Sequence, residues 1–372
     1  MTANRYERMN ELLVQALERR AAERDDFLVA SCGDDVELLA ELRELVAHST
    51  AEEDDAFSES RLARKRSLVG EALSRGLSRG EEMGGALAEP TRVGAYRVVE
   101  KIGEGGSGIV FRAAAGDGAD VALKVLRTPE ASTKALRRFR RECQILEQLD
   151  HPGIVRILDW GVGEAETAVG SFTLPYLAME FIDGRTVPRW IAEDAPTLGE
   201  RVALAAGVAD ALAHAHAVGV LHRDLKPGNV LVEADGRPRV LDFGAAVMRS
   251  IEEEESGTRL TGTGQIIGTM AYMAPEQVAG DSSLVDAQTD IYALGALLYE
   301  MISGEPPHDL EGLSLLASIR RIREEDPRPL KKVAPGCPRS LAALVQRALA
   351  RRPRDRHADL RALARDLRAR RW

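Results

Sequence analysis

His222-Arg-Asp-Leu-Lys-Pro-Gly-Asn229 and, a little further on, Val240-Leu-Asp-Phe-Gly244 are the two stretches on which the fold turns. The first lies between a helical run, about 200 to 218, and a strand-like run, Val230 to Val232. Together they concentrate two acids, a lysine and an amide (Asp224, Asp242, Lys226 and Asn229) in two short loops. A carboxylate can accept the proton of an attacking hydroxyl, and a carboxylate with an amide oxygen can hold a hard cation such as Mg²⁺. Each residue alone has an ordinary structural explanation. Their order, spacing and types together suit phosphoryl transfer.

Upstream, Gly103-Glu104-Gly105-Gly106-Ser107-Gly108-Ile-Val110 sits between strand-like runs, Tyr96 to Ile102 and Val110 to Ala114. Glycines let a backbone approach phosphate oxygens and aim N–H groups at them. A dinucleotide site would need a helix after the loop, and here a strand follows. Alone, the motif fits a Gly-rich hairpin equally well. Lys124 lies near the end of another strand-like run, Val121 to Leu126. A lysine facing a crevice needs an anion, which phosphates and a carboxylate would supply. The candidate carboxylate is Glu142, on a helical stretch from Thr133 to Leu149. More strand-like runs extend to Ile182, and the remainder reads as mostly helical. Strands with one helix, followed by a helical body, predict two unlike lobes with a ligand crevice between them.

At these residues the chain resembles the eukaryotic-type protein kinases, most closely the bacterial serine/threonine kinases. The resemblance covers residues 94 to about 366. It implies an α+β, bilobal fold, with a small β-rich N-lobe carrying one helix (94–182) and a larger, mainly helical C-lobe (183–366). Protein kinases are a well-described template for phosphoryl transfer, so roles follow by position. The resemblance implies that Gly103, Gly105 and Gly108, with their neighbours Ile102, Glu104, Gly106 and Ser107, cover the phosphates of ATP. Lys124 would hold the α- and β-phosphates and pair with Glu142. Asp224 would orient the hydroxyl and accept its proton, and Lys226 would neutralise the γ-phosphoryl group. Asn229 and Asp242 would hold Mg²⁺, with Mn²⁺ left open. Val110, Ala122 and Leu231 would sandwich adenine. Met179 would close the back of its pocket, and backbone groups from Glu180 to Ile182 would read its edge.

Lys226 and the Gly268-Thr269 pair resemble Ser/Thr rather than Tyr kinases. Ala274-Pro-Glu276 closes the segment that begins at Gly244. Glu276 is expected to pair with Arg356, Asp290 to brace the loop around Asp224, and Thr269 to contact Asp224 and Lys226. Arg223 is expected to receive a phosphate on Thr261 or Thr263, whose spacing resembles the autophosphorylation site of bacterial relatives. Two other classes compete with an active protein kinase. A kinase-shaped binding scaffold would usually lack the catalytic acid, the lysine or a metal ligand, and all are present. A small-molecule phosphotransferase would not need the platform from Gly268 to Glu276.

Residues 1–49 read as helices. Leu12, Leu13, Ala16 and Leu17 share one face, and a second helix is expected from Asp34, with Glu37 at capping-box spacing. Partner docking or dimerisation, and packing on the kinase body, are open for this extension. Residues 50–93 read as a charged linker. Within it, Arg64-Lys-Arg-Ser67 is either solvated or a segment that visits the cleft.

The 372 residues carry a formal net charge of -9, which gives no overall basic field for nucleic acid. Cys32, Cys143 and Cys337 form no CxxC pair and suit a reducing compartment. No run of about 18 apolar residues suggests a membrane span, and no secretory signal is apparent. The expectation is a cytoplasmic enzyme acting on Ser and Thr of protein substrates, with self-association for trans-autophosphorylation.

Overall fold

A computed structural model of the chain describes residues 21–32, 90–105, 108–126, 133–167, 170–243, 269–279, 284–370 and 372. They belong to two compact units, 1–87 and 88–372. In the first, α1 (Ala21–Cys32) buries Leu28 and Cys32. The helical runs expected around Leu12 and from Asp34, and the linker up to residue 89, lie outside the described residues.

The second unit begins with antiparallel strands: β1 (Arg92–Val93), β2 (Tyr96–Gly105), β3 (Gly108–Ala114) and β4 (Asp120–Leu126). After α2 (Thr133–Leu146) come β5 (Ile157–Thr167) and β6 (Gly170–Glu180). The sheet order is β2-β3-β4-β6-β5, and the two-residue β1 makes rungs with both β2 and β5. Strand alternation sorts the side chains into two faces. Val121, Leu123 and Val125 of β4 join Phe111 and Ala113 of β3 and Ala178 of β6 in a core inside the small lobe. The intervening Ala122 and Lys124 therefore lie on the opposite face. The register sets Val110 and Leu177 opposite Lys124, and Met179 opposite Ala122, so these residues share that face.

β7 (Arg185–Thr186) and α3 (Val187–Asp194) lead into the larger lobe, followed by α4 (Leu198–Ala217). β8 (Val230–Val232) pairs with β7 on one side and with β9 (Pro238–Val240) on the other. Then come α5 (Pro275–Val278), α6 (Ala287–Ser303), α7 (Leu315–Glu324), α8 (Leu330–Val333), α9 (Arg339–Ala348) and α10 (Leu360–Arg368). Thr197 and Glu200 form a capping box at the start of α4, and Asp286 and Asp359 cap α6 and α10. α4 and α6 are buried around most of their circumference, which explains their continuous apolar runs. Gly295 is required by packing: a Cβ there would lie 2.8 Å from Ala348 Cβ of α9. This is the bilobal α+β architecture that the motifs implied.

One buried ion pair ties the last helices to α5. Arg356 Nη1 and Nη2 donate to Glu276 Oε1 and Oε2 at 2.7 and 2.9 Å. The remaining guanidinium donors reach the carbonyls of Gln288 (2.8 Å), Ala350 (2.8 Å) and Arg351 (3.2 Å). All five donors of this arginine are thus used. Its guanidinium also lies 5.0 Å from the ring centre of Tyr292, and Thr289 Oγ1 donates to Glu276 Oε1 at 3.0 Å. Removing one partner would strand the other charge in the core. Arg356→Ala should therefore destabilise folding by roughly 3–5 kcal/mol, read as a lower denaturant midpoint. A loss under about 1 kcal/mol, the size of a surface pair, would show that the pair is not the anchor the geometry describes.

Candidate active site

Register and loop geometry bring together two groups of the sequence-predicted residues, Lys124 with Asp242 and Asp224 with Lys226 and Asn229. From the small lobe comes Lys124, only 4% exposed, whose Nζ donates to Asp242 Oδ1 at 2.6 Å. This bond spans the lobes, because Asp242 follows β9. The expected pairing of Lys124 with Glu142 lies outside the description. Glu142 falls in α2, but its side chain is not among the described ones.

Asp224, Lys226 and Asn229 converge from below. Lys226 Nζ lies 3.0 Å from Asp224 Oδ2. Asn229 Nδ2 donates to the Asp224 carbonyl at 2.8 Å and to Asp224 Oδ2 at 3.1 Å. Lys226 Nζ also reaches Thr269 Oγ1 at 3.4 Å, the Lys226 half of the contact expected for Thr269. With its amide nitrogen spent on Asp224, Asn229 presents Oδ1 as an acceptor. Asp242 Oδ2 is the second hard oxygen. Mg²⁺ is commonly held by one or two side-chain oxygens, completed by phosphates and water, and this donor set fits that habit.

The loop's shape is set from beneath. The Asp290 carboxylate, in the first turn of α6, accepts the backbone N–H groups of His222 (2.8 Å) and Arg223 (2.9 Å). His216 Nε2 lies 2.7 Å from Asp290 Oδ2. Burial alone would raise the Asp290 pKa. The bond to His216, the two nearby imidazoles and the His222 amide outweigh burial and hold it below the ordinary Asp value. His222 Nε2 in turn meets the Leu241 carbonyl at 2.8 Å, so its Nδ1 is free to accept the Asp224 N–H at 3.3 Å. Arg223 (φ 64°) and Asp242 (φ 59°) both adopt left-handed backbone conformations. Such strain costs about 1–3 kcal/mol each and persists only where neighbours over-determine it.

The nucleotide-facing candidates are also placed. Val110, Ala122 and Met179 share the cleft face of the sheet. Leu231, half-buried, lies in the middle of β8. Ile102 is exposed, and Ile182 is half-buried where β6 has ended. The glycine strands run further than the sequence suggested. Gly103 and Gly105 belong to β2 and Gly108 to β3, with Gly105 paired to Gly108. Gly106 and Ser107 are outside the described residues. Gly108 is dictated by packing, since a Cβ there would lie 2.2 Å from the Val125 carbonyl oxygen. Behind Met179, a small cavity of about 20 Å³ is lined by Leu146, Leu177, Asp242 and Phe243, among others. That is room for about one water molecule.

Three contributors were not legible in the sequence. His216 shares Asp290 with the loop, Gln277 Nε2 donates to the Arg223 carbonyl at 2.7 Å, and Arg239 pairs with Glu180. Each acts across dozens of residues, where no local motif signals the contact.

The family described as Protein kinase domain matches residues 96–372. The chain belongs to the protein kinase family. Over 248 residues this kinase chain is 41% identical to the serine/threonine-protein kinase PknB of Mycobacterium tuberculosis, covering 65% of the chain and 38% of that relative. It is 36% identical over 281 residues (73% of the chain, 40% of the relative) to a probable serine/threonine-protein kinase of Corynebacterium efficiens. A probable serine/threonine-protein kinase of Streptomyces coelicolor is 35% identical over 271 residues (72% and 38%). The kinase chain thus spans about two fifths of the length of the curated relatives it matches. Among the described residues no helix is long and apolar enough to cross a membrane.

Asp290 gives the site a direct test. In Asp290→Ala the amides of His222 and Arg223 lose their acceptor, so their hydrogen exchange should accelerate by an order of magnitude or more, about 1.4 kcal/mol of lost protection. Unchanged exchange at both amides would refute the bracing role. Because the Asp290 pKa is depressed by folding, its contribution is complete above the ordinary Asp value of about 4. It disappears as pH falls through the lower folded value.

Proposed function

We propose that the chain is a serine/threonine protein kinase, transferring the γ-phosphoryl group of Mg·ATP to Ser and Thr hydroxyls of proteins. The proposed catalytic domain is 94–366. The observation that carries this reading is the convergence of Lys226 and Asn229 on the Asp224 carboxylate, with the Lys124–Asp242 pair across the cleft.

On this reading Asp224 orients the acceptor hydroxyl and takes its proton, and Lys226 neutralises charge developing on the γ-phosphoryl oxygens. Lys124 positions the α- and β-phosphates, with Glu142 as its second partner. Backbone N–H groups from Gly103 to Gly108 cover the phosphates. Val110, Ala122, Leu231 and Met179 enclose adenine, Ile102 lies at the rim, and backbone groups of Glu180 to Ile182 hold its edge. Asn229 Oδ1 and Asp242 are the residues that would hold Mg²⁺, which when bound would neutralise charge on the phosphate groups. Mn²⁺ accepts the same oxygen donors.

Arg223 supports a phosphate-receiving role, because its Nε is buried with no hydrogen-bond partner among the described residues. Thr261 and Thr263, the proposed autophosphorylation sites, lie outside the described residues. A phosphate there would carry nearly two negative charges toward Arg223. Transfer between two copies of the chain is the proposed route to that modification. A cytoplasmic setting fits the three buried cysteines, none of which is in a disulfide.

The deciding experiment is incubation with γ-labelled ATP and Mg²⁺, with and without a generic protein substrate. Wild type should label on Ser or Thr, and Asp224→Asn should label roughly 10²–10⁴-fold more slowly. Absence of label in both, despite measurable nucleotide binding, would favour a binding scaffold. Phosphopeptide mapping of the labelled wild type should recover Thr261 or Thr263. Modification confined to other residues would discard that assignment.

A further inference from the structure

Glu180, the last residue of β6, is the point where the small lobe gives way to the hinge. Its side chain does not reach toward the nucleotide cluster. Glu180 Oε1 accepts the backbone N–H of Arg156 at 2.7 Å and pairs with the Arg239 guanidinium. The Glu180 N–H returns a bond to the Arg156 carbonyl at 3.0 Å. One carboxylate thus joins three segments: the stretch before β5, the hinge and β9.

Each segment leads directly to the site. Arg239 stands opposite Leu231 in the β8–β9 register, so its backbone pairs with the proposed floor of the adenine pocket. Two residues past Val240 lies Asp242. Val240 also exchanges backbone bonds with Gly153 (2.8 Å) and Val155 (3.0 Å), just ahead of Arg156. The next hinge residue is restrained as well, with the Arg112 guanidinium 5.1 Å from the Phe181 ring centre. The Arg239 side chain is 13% exposed and that of Glu180 26%, so solvent screens the pair only in part.

We propose that Arg239 is a positioning residue for nucleotide binding. Through Glu180 it fixes the hinge backbone against the adenine floor before ATP arrives. This inference rests on the kinase reading for the identity of the ligand. Its physical content is preorganisation: a hinge already held in place spends less binding free energy on ordering, and that shows as affinity. The ion pair touches neither the phosphates nor Asp224, so its loss should raise the KM for ATP more than it lowers kcat.

The test compares Arg239→Met, which keeps the aliphatic bulk and loses the charge, with Arg239→Lys, which restores the charge. Dissociation constants for a fluorescent ATP analogue are measured directly, beside melting temperatures and, where phosphorylation is observed, KM and kcat. Arg239→Met is expected to bind the analogue about tenfold more weakly, in the usual range of coupling between linked sites. Arg239→Lys should recover much of that loss, and Glu180→Gln should resemble Arg239→Met. Wild-type affinity in Arg239→Met would overturn the proposal. So would equal losses in the Met and Lys variants, or a fall in kcat at constant KM, which would reveal packing rather than positioning. Because the analogue is read without catalysis, failure of the kinase reading would appear separately, as tight binding with no phosphoryl transfer.

Discussion

The arrangement of the site depends on one buried carboxylate. Asp290 is fully buried, and an isolated charge there would be prohibitively expensive. It is tolerated because two backbone N–H groups and an imidazole meet it. Those same bonds define the path of residues 222–224. The stability of the charge and the geometry of the loop are therefore a single requirement. α6, which carries Asp290 in its first turn, is held by the large-lobe core, the largest among the described residues, so the loop inherits the rigidity of that core. The left-handed backbone at Arg223 and at Asp242 is the kind of strain that such bracing can sustain.

The crevice follows from simpler physics. A strand offers alternate residues to opposite faces, and a lobe built on one curved sheet has one face for its own core and one for its neighbour. Val121, Leu123 and Val125 take the first, and Ala122 and Lys124 are left to the second. A lysine among buried residues needs a counter-charge, and Asp242 supplies it from the other lobe. The lobes are then joined by backbone bonds at Val240 and by the ion pair of Glu180 with Arg239.

Much of this was legible in the sequence, for identifiable reasons. Val230 to Val232, the run from Val121 to Leu126 and the helical run from about 200 to 218 are strong local patterns, and their bounds moved by two residues or less. The helix begun at Thr133 ends at Leu146, three residues earlier than its pattern suggested, because the chain turns there before the His151 loop. The glycine stretch was read as a loop, yet its ends pair as strands, since extended backbone is open to glycine when a partner strand is in register. The Glu276–Arg356 pair and the bracing by Asp290 were anticipated only through family resemblance. Nothing local in either sequence stretch specifies a contact across 80 or 68 residues. Gln277, His216 and Arg239 had no such guide.

The arginines differ in how fully their hydrogen bonds are satisfied. Arg356 spends all five donors, on a carboxylate and three carbonyls, and its surroundings leave it nothing further to bind. Arg223 and Arg239, like the surface Arg112, each keep a buried Nε without a partner among the described residues. Each guanidinium donor left unspent forfeits a charge-assisted bond. Arg223 directly precedes Asp224, and Arg239 pairs with Glu180 at the end of β6. Arg356, fully engaged, sits where the fold is anchored. An unspent Nε does not by itself mark a position set by the site rather than by the core, since Arg112 beside Asp120 keeps one too; what ties Arg223 and Arg239 to the site is the first preceding Asp224 and the second holding Glu180 at the hinge.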